Sequence, residues 1–239
     1  VEVACGQAVR GAAEQEVHVG DGCAFIDYIR AEDKMYLTHT EVPSEMEGNG
    51  IGPVASGCLH SVFMHPPGLK VVSPMTPKEY KNVWDDFCSN DTPVFVSEHR
   101  SSYSISKEMP DIHNQKSKIT ILAISAARIN AIEAIEELGK EGLNCDIFHL
   151  VWLKPFKVSD QLLSSLEKTK LGLVIDTDFE TCGASQSISY ELMLKTGAKV
   201  HGFGLADKVS GVSKETENLT PSKSEIKEKI KSILQQRKF

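Results

Sequence analysis

From Lys118 onward, short apolar runs alternate with longer segments whose apolar positions recur every three or four residues. Lys118 to Ile124 (KITILAI) reads as a buried strand, because a brief run of β-branched and aliphatic residues fits a sheet covered on both faces. Ala127 to Lys140 puts Ile129, Ile132, Ile135 and Leu138 on one helical face, with Gly142 where a helix C-cap is expected. Cys145 to Leu150 predicts the next strand, Ser159 to Lys168 a helix with Ser159 as N-cap, and Leu171 to Ile175 a further strand. Ser185 to Lys195 reads as helical and Lys199 to Phe203 as extended. Thr220-Pro221, then Ser222 with Glu225 three residues on, mark the start of a last helix carrying Ile226, Ile230, Ile233 and Leu234. This alternation specifies an α/β domain with a mostly parallel sheet.

Upstream, Leu69 to Val72 is extended, and Thr76-Pro-Lys-Glu79 has the form of a capping box with proline at the first helical position. A helix to about Cys88 follows, then a strand from Thr92 to Ser97. Ser101 to Ser117 is polar and aperiodic, and reads as an interdomain linker. The expected architecture is α/β, with two layered domains and mostly parallel sheets: residues 1–103, a linker over 104–117, and residues 118–239. Glycine-interrupted pieces make the first 60 residues hard to parse, and there is no internal repeat.

Composition narrows the class. The 239 residues are 41% hydrophobic and 25% charged, a globular balance that excludes a disordered or fibrous chain. With 26 basic against 33 acidic side chains the net charge is -7, and no basic block offers phosphate backbones a footing, so no nucleic-acid partner is expected. No apolar run approaches the roughly 18 residues that a membrane span needs. The expectation is a soluble protein of the cytoplasm, or of the mitochondrial matrix in a eukaryote. Cys5, Cys23, Cys58, Cys88, Cys145 and Cys182 are scattered, with no pair at zinc-site or redox-pair spacing.

Candidate chemistry begins at His60. It follows the glycine-rich approach Gly52-Pro-Val-Ala-Ser-Gly-Cys-Leu, which could expose the imidazole at a loop end, where it can move a proton near neutral pH. The plain alternative is a surface loop histidine. Glu14 and Glu16 flank Gln15, as a carboxylate for a ring nitrogen or as a solvated face. Gly20-Asp21-Gly22 followed by Asn49 offers oxygen ligands suited to magnesium, although the stretch before Asn49 is polar where an apolar strand end is wanted.

Three stretches in order, Phe63-Met-His-Pro-Pro-Gly-Leu-Lys-Val-Val72, Pro74-Met-Thr-Pro77 and Pro93-Val-Phe-Val-Ser-Glu98-His99, resemble the beta subunit of the thiamine diphosphate-dependent decarboxylating component of 2-oxo acid dehydrogenase complexes, within the transketolase-like family. Val151-Trp-Leu-Lys-Pro155, Gly183-Ala-Ser-Gln-Ser-Ile188 and Gly204-Leu-Ala-Asp207 resemble later motifs of the same family. The resemblance implies a pyrimidine-binding domain followed by a transketolase C-terminal domain. It also implies thiamine diphosphate held between chains, with an alpha-type partner supplying the diphosphate and magnesium site, and a lipoyl-bearing acyltransferase receiving the acyl group.

Residue by residue, Glu14-Gln15 with Val19-Gly-Asp-Gly22 is similar to the motif whose glutamate bonds the pyrimidine ring nitrogen. Phe25-Ile-Asp-Tyr28-Ile29 resembles the segment whose aromatic packs on the pyrimidine, which makes Glu14, Phe25 and Tyr28 the implied cofactor-binding residues. His60-Ser61 matches half of a motif whose histidine faces the active site, so Glu14 and His60 are the implied catalytic pair. The N-terminal third is condensed relative to the family pattern near Ala24, Ile29 and Ser61. In the alternative reading, a transketolase-like or fused enzyme, Asp21 and Asn49 hold the metal on this chain. A non-catalytic relative is the third. An α2β2 assembly is expected, with the apolar faces of Ile226, Ile230 and Leu234 free to bury against a second copy. The substrate stays open between pyruvate, branched-chain 2-oxo acids, acetoin and sugar phosphates.

Overall fold

The computed structural model describes residues 26–31, 34–41, 57–209 and 218–236. Strands β1 (Ile26–Ala31) and β2 (Lys34–Glu41) are joined by only two residues and so pair antiparallel, with Tyr28 opposite Leu37. Next come helix α1 (His60–Met64), strand β3 (Lys70–Val72), helix α2 (Pro77–Ser89) and strand β4 (Val94–His99). The capping box forms as read: Oε2 of Glu79 accepts the N–H groups of Met75 at 2.9 Å and Thr76 at 3.2 Å.

The second half contributes β5 (Ile119–Ile124), α3 (Ala127–Lys140), β6 (Cys145–Leu150), β7 (Trp152–Lys154), α4 (Asp160–Thr169), β8 (Leu171–Phe179), α5 (Ala184–Thr196), β9 (Lys199–Leu205) and α6 (Lys223–Gln236). Four of these strands form a wholly parallel sheet in the order β6-β5-β8-β9. Every residue of β5 is buried, because both faces are covered. Ile119, Ile121 and Ala123 pack against α3 and α6, while Leu122 and Ile124 pack on the side of α4 and α5.

The first sheet departs from the expected mostly parallel pattern. Its order is β1-β2-β4-β3-β7, parallel in the middle and antiparallel at both edges. At one edge the cause is the β1–β2 hairpin. At the other, β7 leaves β6 after a single residue, Val151, and joins β3 instead of the sheet it came from. The two sheets therefore share a core in which Val71 and Phe95 from the first meet Leu122, Phe148 and Val174 from the second. The polar stretch after the short 3-10 turn Arg100–Ser104 is fastened to β6: Ile112 bridges Ile147, and Oδ1 of Asp111 accepts the N–H of His149 at 2.8 Å.

Two helical faces differ from the sequence reading. The buried stripe of α3 is Ala127, Ala131, Ala134, Ile135 and Leu138, rotated from the isoleucine stripe because small alanines let the helix sit close on the sheet. In α6, Ile226, Ile230 and Ile233 are buried in the same core as α3, with Leu234 packed against it, so these faces are not spare surface for a second copy. Exposed apolar residues occur instead on α5, at Tyr190 and Leu194. Among the described residues, no helix is long and apolar enough to cross a membrane.

Candidate functional site

In the parallel sheet the chain runs from β5 outward to β6, then crosses back over β5 to β8 and β9. The carboxyl ends of β5 and β8 thus flank the point where strand order reverses, the place where open α/β sheets form a crevice. Here the crevice is filled by the chain itself. Strand β8 continues past the predicted Ile175 into Asp176-Thr-Asp178, and α1 inserts against it, anchored by stacking of Phe63 on Phe95 with ring centroids 3.9 Å apart.

His60 is the first residue of α1 and is fully buried, not exposed at a loop end. Its Nε2 lies 3.1 Å from Oδ2 of Asp176 and 3.8 Å from Oδ2 of Asp178. Its Nδ1 lies 2.9 Å from Sγ of Cys58 and 3.4 Å from Oγ of Ser97 on β4. Burial pulls the imidazole pKa down, but the charges and hydrogen bonds of Asp176 and Cys58 overcome it and hold it well above the usual histidine value. Burial raises the pKa of Asp178, helped by the Asp176 charge and opposed by His60 and Ser61. The arrangement can keep a positive charge between carboxylates in a place closed to water.

Ser61 links this cluster to α5. Its N–H donates to Oδ2 of Asp178 at 3.0 Å, and its Oγ accepts the N–H of Ala184 at 2.9 Å. The α5 N-cap, Gly183, must be glycine, since a Cβ there would lie 1.8 Å from the carbonyl oxygen of Phe179. Beside it opens a cleft of about 430 Å³ lined by Ser61, Met64, Lys154, Phe156, Gly183 and Glu191.

Of the residues expected to carry function, the structure brings only His60 into this cluster. Glu14, Asp21, Phe25 and Asn49 lie outside the described residues, as does the side chain of Tyr28, whose backbone belongs to β1. Sequence reasoning missed Cys58, Ser97, Asp176 and Asp178. The available signal was Asp-x-Asp at the carboxyl end of an apolar run, where two acids on one strand face meet the crevice.

Comparison with known proteins places this geometry. Residues 110–226 match the family described as transketolase, C-terminal domain. This segment is a transketolase C-terminal domain. The chain is also a distant relative of the pyruvate dehydrogenase E1 component subunit beta of Mesostigma viride, 30% identical over 163 residues, which cover 62% of this chain and 50% of that protein. The beta subunit of the acetoin:2,6-dichlorophenolindophenol oxidoreductase of Cupriavidus necator is 30% identical over 160 residues, covering 62% of this chain and 47% of that one. The chain spans about half the length of these curated relatives. A solved structure described as a split gene transketolase, inactive beta4 tetramer, shares the fold with a TM-score of 0.64 at 18% identity, over 84% of this chain and 66% of that one. The transketolase C-terminal domain thus provides the strands and α5 against which His60 is buried.

Proposed function

We propose that this chain is the beta-type component of a thiamine diphosphate-dependent 2-oxo acid dehydrogenase, which decarboxylates pyruvate or a branched-chain 2-oxo acid and passes the acyl group to a lipoyl carrier. The observation that carries this reading is the 30% identity to the beta subunits of two different oxidoreductases over some 160 residues. In this reading residues 1–103 form the pyrimidine-binding unit, 104–117 the link, and 118–239 the C-terminal unit. Glu14 bonds the pyrimidine, with Phe25 and Tyr28 beside it, while an alpha-type partner in an α2β2 assembly holds the diphosphate and magnesium. When bound, the cofactor supplies the carbanion stabilisation that lets a 2-oxo acid lose carbon dioxide. Those three side chains are outside the described residues, so no step is assigned to them beyond binding.

His60 is assigned a positioning role, because its burial leaves no side open to a substrate. It holds α1 on β8 and thereby fixes Ser61 at the mouth of the cleft. The test is calorimetry with thiamine diphosphate and magnesium, on the chain alone and with its copurified partner, followed by a panel of 2-oxo acids. Binding and turnover are expected only with the partner. Tight magnesium-dependent binding to the isolated chain would overturn this reading and assign the metal to Asp21 and Asn49.

A further inference from the structure

We propose that α1 is a proton-operated latch on the cleft: a doubly protonated His60 holds it on β8, and loss of one ring proton frees it, together with Ser61, from the start of α5. The imidazole is fully buried, and its two edges face different partners. At the Nε2 edge stand the carboxylates of Asp176 and Asp178, with oxygens 3.1 and 3.8 Å away. At the Nδ1 edge stand Sγ of Cys58 at 2.9 Å and Oγ of Ser97, on β4, at 3.4 Å. The titratable groups that meet the ring are thus Asp176 and Asp178 from β8 and Cys58 from the residues leading into α1. Among the described residues, neither carboxylate forms an ion pair with a lysine or arginine, so the imidazolium is their shared counter-charge. Without its second proton the ring leaves two like charges buried side by side, a costly state that is relieved when water reaches them.

These acids are also what fastens the helix. His60 binds Asp176, and the N–H of Ser61 binds Asp178 at 3.0 Å, while Oγ of Ser61 accepts the N–H of Ala184 at 2.9 Å on the other side. Helix α1 is only five residues long, and the stacking of Phe63 on Phe95 gives it an apolar hold about which it can pivot. Movement away from β8 undoes the Ser61 cap of α5 and reshapes the cleft, whose wall includes Ser61, Met64 and Gly183. Burial works against the imidazolium, but Asp176 and Cys58 outweigh it, so the docked ring keeps a proton at a pH where a released ring has lost it. Docking is complete below about 6.5, where a free imidazole is itself protonated, and weakens as pH rises towards the raised value of the docked ring. This extends the positioning role of His60 and does not depend on which substrate the chain serves.

Amide hydrogen exchange on the full-length chain tests this without thiamine diphosphate, so failure here leaves the proposed function untouched. Corrected for the intrinsic effect of pH, protection of the Ser61 and Ala184 amides should fall about tenfold per pH unit above about 6.5, until the docked ring itself titrates. The amides of Ile121 and Leu122, inside β5, should keep their protection over the same range. Cys58→Ser leaves a hydroxyl that does not titrate, so it should retain the slope and assign it to the imidazole. Asp176→Asn should bring the loss to lower pH. In His60→Gln the two amides should be poorly protected already at neutral pH, with β5 unaffected. Constant protection of Ser61 and Ala184 between about pH 7 and 9, in both the wild type and Cys58→Ser, would overturn the proposal. So would wild-type protection in His60→Gln, or a parallel loss in β5, which would mark global unfolding in place of a local release.

Discussion

Arg128 and Glu79 meet through two parallel hydrogen bonds, Nη1 to Oε2 and Nη2 to Oε1, each 2.7 Å long. The guanidinium at the start of α3 is fully buried, and its partner belongs to α2 beside the other sheet. Removing the carboxylate charge leaves a buried cation without its counter-ion. Glu79→Gln should therefore cost about 3–5 kcal/mol in urea unfolding. The double variant Glu79→Gln with Arg128→Met should recover much of that, because the unpaired charge is gone.

Ser61→Ala removes the acceptor for the Ala184 N–H at the first turn of α5. The expected loss is about 1 kcal/mol, the usual value of a side-chain cap, read as a lower thermal midpoint. Ser61→Thr, which keeps the oxygen, should lose less.

Gly183→Ala places a methyl group where the Phe179 carbonyl already stands. The backbone must move, and with it the start of α5. A loss of several kcal/mol is expected, against a far smaller effect of Gly139→Ala, where the structure leaves open space.

The ring nitrogens of His149 are shielded from solvent. Burial, with the Arg128 charge adding to it, drives the pKa down to about 3, against the pull of the Pro110 carbonyl. The native state therefore keeps His149 neutral while the unfolded chain takes up a proton below about 6.5. The unfolded state binds more protons in that interval, so stability falls as pH drops from about 6.5 towards 3. His149→Gln should flatten this acid limb of the urea midpoint relative to wild type, leaving the profile above pH 7 unchanged.

The parallel sheet was legible because its signals are local. The strand Cys145–Leu150 and the helix Ala127–Lys140 have the bounds read from the apolar pattern, and Ser159 caps α4 through Leu162 as expected. The mixed sheet was not, since Trp152-Leu-Lys154 carries no mark that it will abandon β6 for β3. The cluster was half legible. His60 stood out as a residue type in a motif, but its environment depends on Asp176 and Asp178, more than a hundred positions away. Periodicity does not encode pairings at that range. The rotated face of α3 failed for a related reason: packing distance, which favoured alanine, outweighed hydrophobicity, which favoured isoleucine.

The short strand β7 and the short helix α1 travel in opposite directions between the sheets. One sheet receives its edge from the chain of the other, and in return fills that other's crevice with His60. Neither half is self-sufficient: cut away residues 57–64 and the acids of β8 lose the imidazole that lies between them and β4, remove 152–154 and β3 loses one of its two neighbours. Such reciprocal borrowing makes the two sheets a single cooperative unit, in which melting of one deprives the other of a part it cannot replace.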